Sequence, residues 1–219
     1  METIAITGAG SGLGRALARR YADAGHTIFL IGRDEEKLLV VQKEIRDNGG
    51  FAEVLVCDIS EPASVSVAIE QFEQLDLLIN NAGTGIFGPL SDYSPEDVDQ
   101  LLETNVKGTI LMTQYAAPLI EKKNGRIINI ISTAGLRGKK NESVYCASKF
   151  AVKGFTESLQ KEWEDKNISI TAAYIGGMNT PFWDKTDHVT NPETLKGPES
   201  VAEQIFNEDD GRIEIVIDR

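Results

Sequence analysis

Residues 3–18, TIAITGAGSGLGRALA, decide which fold the chain is predicted to adopt. A short run of β-branched and apolar residues is followed by a glycine-rich turn and then by residues with helical spacing. Glycines let a backbone approach a diphosphate closely, and the start of a helix directs free N–H groups and a partial positive charge at it. The stretch therefore predicts a strand, a nucleotide-binding turn and a helix, and a turn without a ligand is the alternative. The candidate cofactor-binding residues in this turn are Gly8, Ser11, Gly12, Leu13 and Gly14.

The alternation of strand and helix continues to the end of the chain. Seven short apolar runs have the composition of strands that are buried on both faces of a parallel sheet. These runs cover residues 3–7, 27–31, 52–57, 75–80, 126–131, 168–175 and 212–218. Helical spacing is found in segments 15–24, 35–47, 61–73, 94–121 and 143–164. We therefore expect one domain, residues 1–219, with an α/β fold: a doubly wound parallel seven-stranded sheet with helices on both faces.

Two local features modify this pattern. Pro118 lies inside the helical segment 94–121 and predicts a bend or an irregular turn there. Segment 179–198 contains three prolines and few periodic positions, which predicts a loop that covers a site.

Composition excludes several classes of function. The net charge is −12, which argues against a general affinity for nucleic acid or for anionic membranes. Cys57 and Cys146 are far apart, and neither His26 nor His188 has Cys or His neighbours at metal-binding spacing. We therefore expect neither a disulfide nor a metal site. No signal peptide and no apolar run of roughly 20 residues is visible, so we predict a cytoplasmic protein.

The glycine turn has the spacing TGxxxGxG, and NNAG follows the fourth predicted strand. Together these motifs resemble the short-chain dehydrogenase/reductase family, and the resemblance extends over nearly the whole chain. It implies a Rossmann-type fold and places Asn81, Ala82 and Gly83 beside the cofactor. It also implies that Asp58, in CDIS, binds the adenine, although capping of the helix that starts near Glu61 is an equal alternative.

The end of the second predicted strand, IGRDEEKL, bears on the choice of cofactor. Many NAD-binding domains carry a carboxylate there for the ribose hydroxyls, but this chain has Gly32 followed by Arg33. Arginine can pair with a 2′-phosphate through two hydrogen bonds. The pattern therefore favours NADP, with NADPH preferred over NADH. The alternative is that Arg33 only begins a solvated helix.

Four polar residues match the catalytic tetrad of the family. Tyr145 and Lys149, in SVYCASKF, share one helix face because they are four residues apart. Ser132 ends the fifth predicted strand, and Asn105 lies within the preceding long helix. The resemblance implies that Asn105, Ser132, Tyr145 and Lys149 are catalytic. The alternative for Tyr145 is a core or interface tyrosine.

The residue types suit the reduction of a carbonyl. A free tyrosine has a pKa of about 10, and a nearby ammonium together with the oxidised nicotinamide should lower it. Tyr145 is then the general acid, and the Ser132 hydroxyl polarises the substrate oxygen. By the family resemblance, Lys149 also holds the nicotinamide ribose, and Asn105 positions a water that carries protons to Lys149.

The stretch YIGGMNTPFW, residues 174–183, departs from the family at Ile175, where proline is usual. Gly176 and Thr180 are retained, and we expect both beside the cofactor. Four apolar residues are candidates for the wall of a substrate pocket: Phe87, Met178, Phe182 and Trp183.

The motifs together predict an NADP-dependent oxidoreductase that interconverts a carbonyl and an alcohol on a small molecule and acts as a reductase. A catalytically silent NADP-binding sensor or scaffold of the same fold is the alternative, although such a protein would be expected to lose the tyrosine, lysine or serine. A sugar-nucleotide epimerase or dehydratase is a third hypothesis, and it usually needs a larger C-terminal region. The resemblance also implies a homodimer or homotetramer that pairs through the two long helical segments.

Overall fold

Seven strands account for the sheet in the computed structural model, which describes residues 1–184 and 186–218. The strands are β1 (Thr3–Thr7), β2 (Thr27–Gly32), β3 (Phe51–Val56), β4 (Leu77–Asn80), β5 (Arg126–Ser132), β6 (Ser169–Ile175) and β7 (Glu214–Ile217). All neighbouring pairs are parallel, and the order is β3-β2-β1-β4-β5-β6-β7. The predicted doubly wound sheet is confirmed. Its order reverses between β1 and β4, where a crevice opens at the carboxyl ends of the strands.

The helices within the described residues include every helical segment that the sequence predicts and one more. They are α1 (Gly12–Asp23), α2 (Glu35–Asp47), α3 (Pro62–Ile69), α4 (Pro95–Leu102), α5 (Gly108–Lys123), α6 (Ser143–Glu162) and α7 (Pro198–Glu208). The sequence analysis did not predict α7, which directly follows the proline-rich loop. None of the helices in the described part of the chain is both long and apolar enough to cross a membrane.

Burial on both faces explains the apolar composition of the strands. In β1, Ile4 and Ile6 pack into the core that α1, α2 and α7 cover, while Ala5 packs into the opposite core with residues of α3 and α5. All three side chains are fully buried. At roughly 25 cal/mol per Å² of apolar surface, such two-sided burial supplies much of the free energy that holds the sheet.

The long helical segment is interrupted, but not at Pro118. A five-residue π-helix, Glu103–Lys107, joins α4 to α5 and contains Asn105. Pro118 lies inside the continuous α5 on its exposed side, where water can hydrate the carbonyl that lacks a helical partner. The irregular turn therefore falls at Asn105 rather than at the proline, and π-helical turns are often found at functional sites.

Candidate active site

The glycine turn lies between β1 and α1 at the carboxyl edge of the sheet. Gly8 has a φ of +66°, which favours glycine, and a Cβ at Gly14 would lie 2.2 Å from the carbonyl oxygen of Gly8. Ser11 precedes α1, yet its hydroxyl makes no capping hydrogen bond. The turn is thus packed too closely for side chains at its glycines, and this leaves room above it for a diphosphate.

The NNAG residues fasten the end of β4 to this turn. The Thr7 hydroxyl accepts hydrogen bonds from the backbone N–H of Asn81 at 3.0 Å and of Ala82 at 2.9 Å. The Asn81 side chain donates in return to the Thr7 carbonyl at 2.9 Å. Asn80 lies one position earlier and donates to Thr113 and Asn129 within the core. The motif therefore holds the rim of the crevice rigidly.

A cavity of about 440 Å³ runs along this rim from the end of β2 to the loop after β6. Gly14 and Asn105 do not line it; Gly14 packs beneath the turn, and Asn105 lies behind Gly83. Thr180 reaches the turn, because a Cβ at Gly12 would lie 3.3 Å from its Cβ and methyl group. The candidate residues that line the cavity are Gly8, Ser11, Gly12, Leu13, Arg33, Asp58, Asn81, Ala82, Gly83, Ser132, Tyr145, Lys149, Gly176 and Thr180.

Arg33 and Asp58 lie together at one end of the cavity. The Arg33 guanidinium is 3.8 Å from the Asp58 carboxylate, although both side chains are exposed to solvent. Asp58 does not cap α3, which is the alternative that the sequence left open, because it accepts two hydrogen bonds from Ser60 in the turn before that helix. Partial burial raises the pKa of Asp58, but the Ser60 hydrogen bonds and Arg33 outweigh it and lower the pKa below its ordinary value. The Arg33 guanidinium therefore lies at the cavity edge beside a carboxylate that ionises readily.

Tyr145, Lys149 and Ser132 meet near the middle of the cavity. Tyr145 and Lys149 project from the first turns of α6, and both are buried. The Lys149 ammonium lies 5.8 Å from the centre of the Tyr145 ring and 3.5 Å from the Ile130 carbonyl oxygen. Ser132, at the end of β5, lines the cavity with them, and its hydroxyl accepts a hydrogen bond from the Ala134 N–H at 3.1 Å.

Burial decides the proton affinities of this group. It raises the pKa of Tyr145 above its ordinary value, and the nearby Ser132 hydroxyl opposes the rise without overcoming it. Burial likewise lowers the pKa of Lys149 from 10.5 to about 8. The sequence analysis expected Lys149, together with the oxidised nicotinamide, to lower the pKa of Tyr145. In the structure the loss of hydration outweighs any such effect, because the ammonium faces the ring from 5.8 Å.

Asn105 supports this group from behind. Its side chain donates to the Thr84 carbonyl at 3.0 Å and accepts from the Thr84 N–H at 2.8 Å. It also donates to the Ser148 hydroxyl at 3.0 Å, which in turn donates to the Tyr145 carbonyl at 2.7 Å. The sequence analysis did not single out Ser148, and its position between Tyr145 and Lys149 in α6 was the available signal. Asn105 therefore connects the loop after β4 to the helix that carries Tyr145.

Aromatic residues form the other end of the cavity. Met178, Phe182 and Trp183 line it, as the sequence predicts. Phe87 is not among the lining residues; it packs behind them, with its ring 5.2 Å from Tyr145 and 5.4 Å from Trp183.

Two residues at this end have no counterpart in the sequence-based predictions. Glu142 is buried, lines the cavity and precedes α6. His188, in the loop after β6, is 2.9 Å from the Glu142 carboxylate through its Nε2 atom. The sequence contained one signal, since His188 is one of only two histidines and lies in the loop predicted to cover a site.

The residues present fit a dinucleotide. The turn has close backbone packing that a Cβ would prevent, a helix start points its N–H groups at the cavity, and a cationic side chain lies at the far edge. The glycine turn, the Arg33 guanidinium and the Tyr145 phenol line one continuous cavity, which suits a cofactor that extends between them.

Comparisons with known proteins agree with this geometry. The short chain dehydrogenase family matches residues 2–190. Sepiapterin reductase of Chlorobaculum tepidum is 36% identical over an alignment 210 residues long that covers 88% of this chain and 86% of that protein. An actinorhodin polyketide ketoreductase with NADPH has a TM-score of 0.89 at 28% identity, covering 99% of this chain and 95% of that one. A short-chain dehydrogenase from Sphingobium yanoikuyae in complex with NADPH has a TM-score of 0.91 at 25% identity, with 99% and 87% covered.

Proposed function

The chain belongs to the short chain dehydrogenase family, and we propose that it is an NADP-dependent oxidoreductase that interconverts a carbonyl and an alcohol, acting as a reductase. The family and the oxidoreductase class predicted from the motifs are confirmed by the family match and by the NADPH-bound neighbours. We further propose that one domain, residues 1–219, both binds the cofactor and catalyses the reaction. A cytoplasmic location remains a prediction from the sequence.

One observation carries the proposal. A buried phenol, a buried ammonium and a hydroxyl, from Tyr145, Lys149 and Ser132, line the same cavity as the glycine turn. An uncompensated buried lysine is costly, so its presence beside a tyrosine in a cleft favours a catalytic use. A silent cofactor sensor would not need these groups, and no contact in the site favours that alternative.

The mechanism assigns a role to each of these residues. When bound, NADPH supplies the hydride that reduces the carbonyl carbon. Tyr145 donates its proton to the carbonyl oxygen, and its raised pKa keeps the phenol protonated until the oxygen becomes basic. Ser132 hydrogen-bonds the same oxygen and stabilises the negative charge that develops on it.

Lys149 and Asn105 act on Tyr145 and on the cofactor. Lys149, whose pKa is about 8, is charged on most molecules at neutral pH and stabilises the phenolate left after proton transfer. By family analogy it also binds the nicotinamide ribose. Asn105 holds the loop after β4 and α6 together through Thr84 and Ser148, and this fixes the direction of the Tyr145 side chain.

The cofactor is held by the rest of the rim. The glycine turn binds the diphosphate, Asp58 binds the adenine side, and Arg33 pairs with the 2′-phosphate. Because Asp58 lies 3.8 Å from Arg33 and both are solvated, the guanidinium can turn toward a phosphate at small cost. NADPH is therefore preferred over NADH.

The substrate is a small carbonyl compound that fits between Tyr145 and the aromatic end of the cavity. Self-association is a further part of the proposal. Leu102 and Phe150, from the long helical segments through which relatives pair, are 40% and 44% exposed, which suits a homodimer or homotetramer.

The test is NADPH and NADH consumption with a panel of ketones, aldehydes and diketones that includes sepiapterin. Tyr145→Phe should lower turnover by at least about a hundredfold because it removes the transferable proton. NADPH affinity, measured by fluorescence titration, should stay within about twofold, since the ring remains in place. Tyr174→Phe is the control, because Tyr174 is equally buried but does not line the cavity.

Two results would contradict the proposal. Turnover by Tyr145→Phe at the rate of the parent protein would remove Tyr145 from the mechanism. NADPH binding without consumption across the whole panel would instead favour the silent sensor.

A further inference from the structure

The loop between β6 and α7 is joined to the start of α6 by a contact that the proposed mechanism does not use. His188 Nε2 and Glu142 Oε1 are 2.9 Å apart, although the two residues are 46 positions apart in the chain. Both side chains are largely buried, with exposed fractions of 20% and 10%. We call this pair, His188 with Glu142, the clasp.

Stacked rings extend the clasp across the aromatic end of the cavity. The His188 ring lies 4.6 Å from Phe87 with an interplanar angle of 15°, and the Trp183 ring lies 5.4 Å from Phe87 at 29°. Phe87 belongs to the loop after β4, whereas the other two rings belong to the loop after β6. The clasp thus connects both loops to the helix that carries Tyr145.

Glu142 is well placed for this role. It is the residue before α6, its carbonyl accepts the hydrogen bond from Cys146 N–H at 2.7 Å, and it lies three positions before Tyr145. Its second carboxylate oxygen is 3.9 Å from the Lys139 ammonium. A carboxylate buried this deeply needs partners on both oxygens, and His188 is the partner that the loop supplies.

We propose that His188 is a positioning residue whose hydrogen bond to Glu142 holds the loop after β6 closed over the substrate end of the cavity. The loop carries Phe182 and Trp183, which line that end, so the clasp fixes the wall against which a substrate packs. The kinetic part of this inference rests on the proposed function, whereas the closure of the loop does not.

Loss of the clasp has a defined consequence. An open loop binds substrate less well, because part of the binding energy must then close it. The proton donor and its helix stay in place, so the chemical step is little affected. The clasp therefore acts on KM more than on kcat.

The kinetic experiment compares His188→Ala, His188→Gln and the parent protein with the best substrate of the carbonyl panel. We expect His188→Ala to raise KM about tenfold, the effect of losing one hydrogen bond to a charged group, with kcat within about twofold. Glutamine can donate to Glu142, so His188→Gln should keep KM within about threefold of the parent value. His26→Ala is the control, since His26 lies 3.5 Å from the Glu2 carboxylate at the opposite edge of the sheet and accepts a hydrogen bond from the Glu2 N–H.

A second experiment measures the closure of the loop, through the solvent accessibility of Trp183, without any need for catalysis. The chain has two tryptophans, so in a Trp163→Phe background the fluorescence comes from Trp183 alone. The Trp183 indole donates to the Met178 carbonyl within the loop and stacks over Phe87. We expect His188→Ala to increase acrylamide quenching of Trp183 about twofold, whereas His188→Gln and His26→Ala leave it unchanged. Circular dichroism confirms that each variant is folded.

The outcomes are separable. Unchanged Trp183 quenching in folded His188→Ala would overturn the clasp, and so would a fall in kcat with KM unchanged. If the parent protein reduces no carbonyl, the proposed function fails, and the quenching comparison still decides whether the clasp exists. If His188→Ala does not fold, Glu142→Gln takes its place, because a neutral amide weakens the contact with His188, and we expect a smaller increase in Trp183 quenching than for a complete loss of the contact, with His188→Gln as the unchanged reference.

Discussion

Arg126 and Lys149 are two largely buried cations that lie near opposite ends of β5, and they differ in how their charge is compensated. Arg126 begins the strand and binds two carboxylates, with Asp209 at 2.7 and 2.8 Å and Glu2 at 2.8 and 3.0 Å. Tyr21 donates a further hydrogen bond to Asp209 at 2.7 Å. Although burial acts in the opposite direction, these hydrogen bonds raise the pKa of Arg126 above its ordinary value.

Lys149 lies near the carboxyl end of the same strand, where its ammonium is 3.5 Å from the Ile130 carbonyl oxygen and faces the Tyr145 ring. Among the described side chains, no carboxylate is within ion-pair distance of its ammonium. Its pKa falls to about 8 as a result of burial. The charge of Arg126 is therefore compensated by carboxylates within the fold, whereas the charge of Lys149 is available to a ligand.

The difference indicates which buried cation stabilises the fold and which one serves the proposed chemistry. A buried cation with two carboxylates connects β5 to the N-terminus and to the end of α7, and it contributes to folding. A buried cation without one costs folding free energy and is retained where chemistry needs it. Substitution of the two residues should therefore give opposite results.

The largest effect is expected for Lys149→Met. This change removes the charge that we propose stabilises the Tyr145 phenolate and the ammonium that we propose binds the cofactor ribose, so kcat/KM should fall about a thousandfold. The same change should raise the free energy of unfolding at pH 7, because methionine fills the space without a charge to desolvate. NADPH consumption and thermal unfolding measure the two quantities.

Lys153→Met is the matched control for that change. Lys153 lies one turn further along α6 and pairs with Glu157 at 3.7 Å, partly exposed to solvent. Lys153→Met should change neither the free energy of unfolding nor the activation free energy that corresponds to kcat/KM by more than about 0.5 kcal/mol. A Lys149→Met protein that is both inactive and less stable than the parent would argue that Lys149 supports the fold rather than the chemistry.

Arg126→Met should give the reverse result. It leaves Glu2 and Asp209 without their partner, and breaking a buried charge pair from one side costs about 3 kcal/mol. Activity per folded molecule should not change, because Arg126 lies at the edge of the sheet opposite the cavity. Urea unfolding followed by circular dichroism measures the loss.

Arg46→Met controls for the removal of a positive charge, since Arg46 pairs with Glu53 at 3.1 Å on the exposed surface. We expect a loss below about 1 kcal/mol there. If Arg126→Met and Arg46→Met destabilise equally, the pairing of Arg126 is not what holds the N-terminus to β5.

The fold and most of the site could be predicted from the sequence because they depend on local patterns. Strands buried on both faces show as continuous apolar runs, and the observed strands lie within two residues of the predicted limits at each end. Tyr145 and Lys149 share a helix face through their spacing alone. The glycine turn and NNAG are short motifs whose partners lie at known positions along a Rossmann-type sheet.

The remaining features depend on contacts between distant segments. The Asn105 turn is set by tertiary packing, so the sequence indicated Pro118 instead. Whether Asp58 caps a helix depended on where α3 begins, and the pKa of Tyr145 depended on how deeply the cavity is buried. Glu142 and His188 are 46 positions apart, and no periodic pattern in the sequence predicts their contact. Such features follow from the assembled structure and not from local propensity.

The smallest effect concerns the pH dependence of stability. The folded pKa of Lys149 is about 8 and its ordinary value is 10.5, so between these values the unfolded chain binds more protons than the folded protein. The free energy of unfolding then rises with pH across this window, and the contribution of Lys149 amounts to about 2 kcal/mol between pH 7 and about pH 9.5. The excess stability of Lys149→Met over the parent should therefore be largest below pH 8 and should shrink as pH rises toward 10.5. Urea titrations of both proteins across this range measure the difference, and Lys153→Met serves again as the control. A difference that stays constant with pH would mean that Lys149 is not desolvated in the folded protein, and the contrast with Arg126 would then be one of position only.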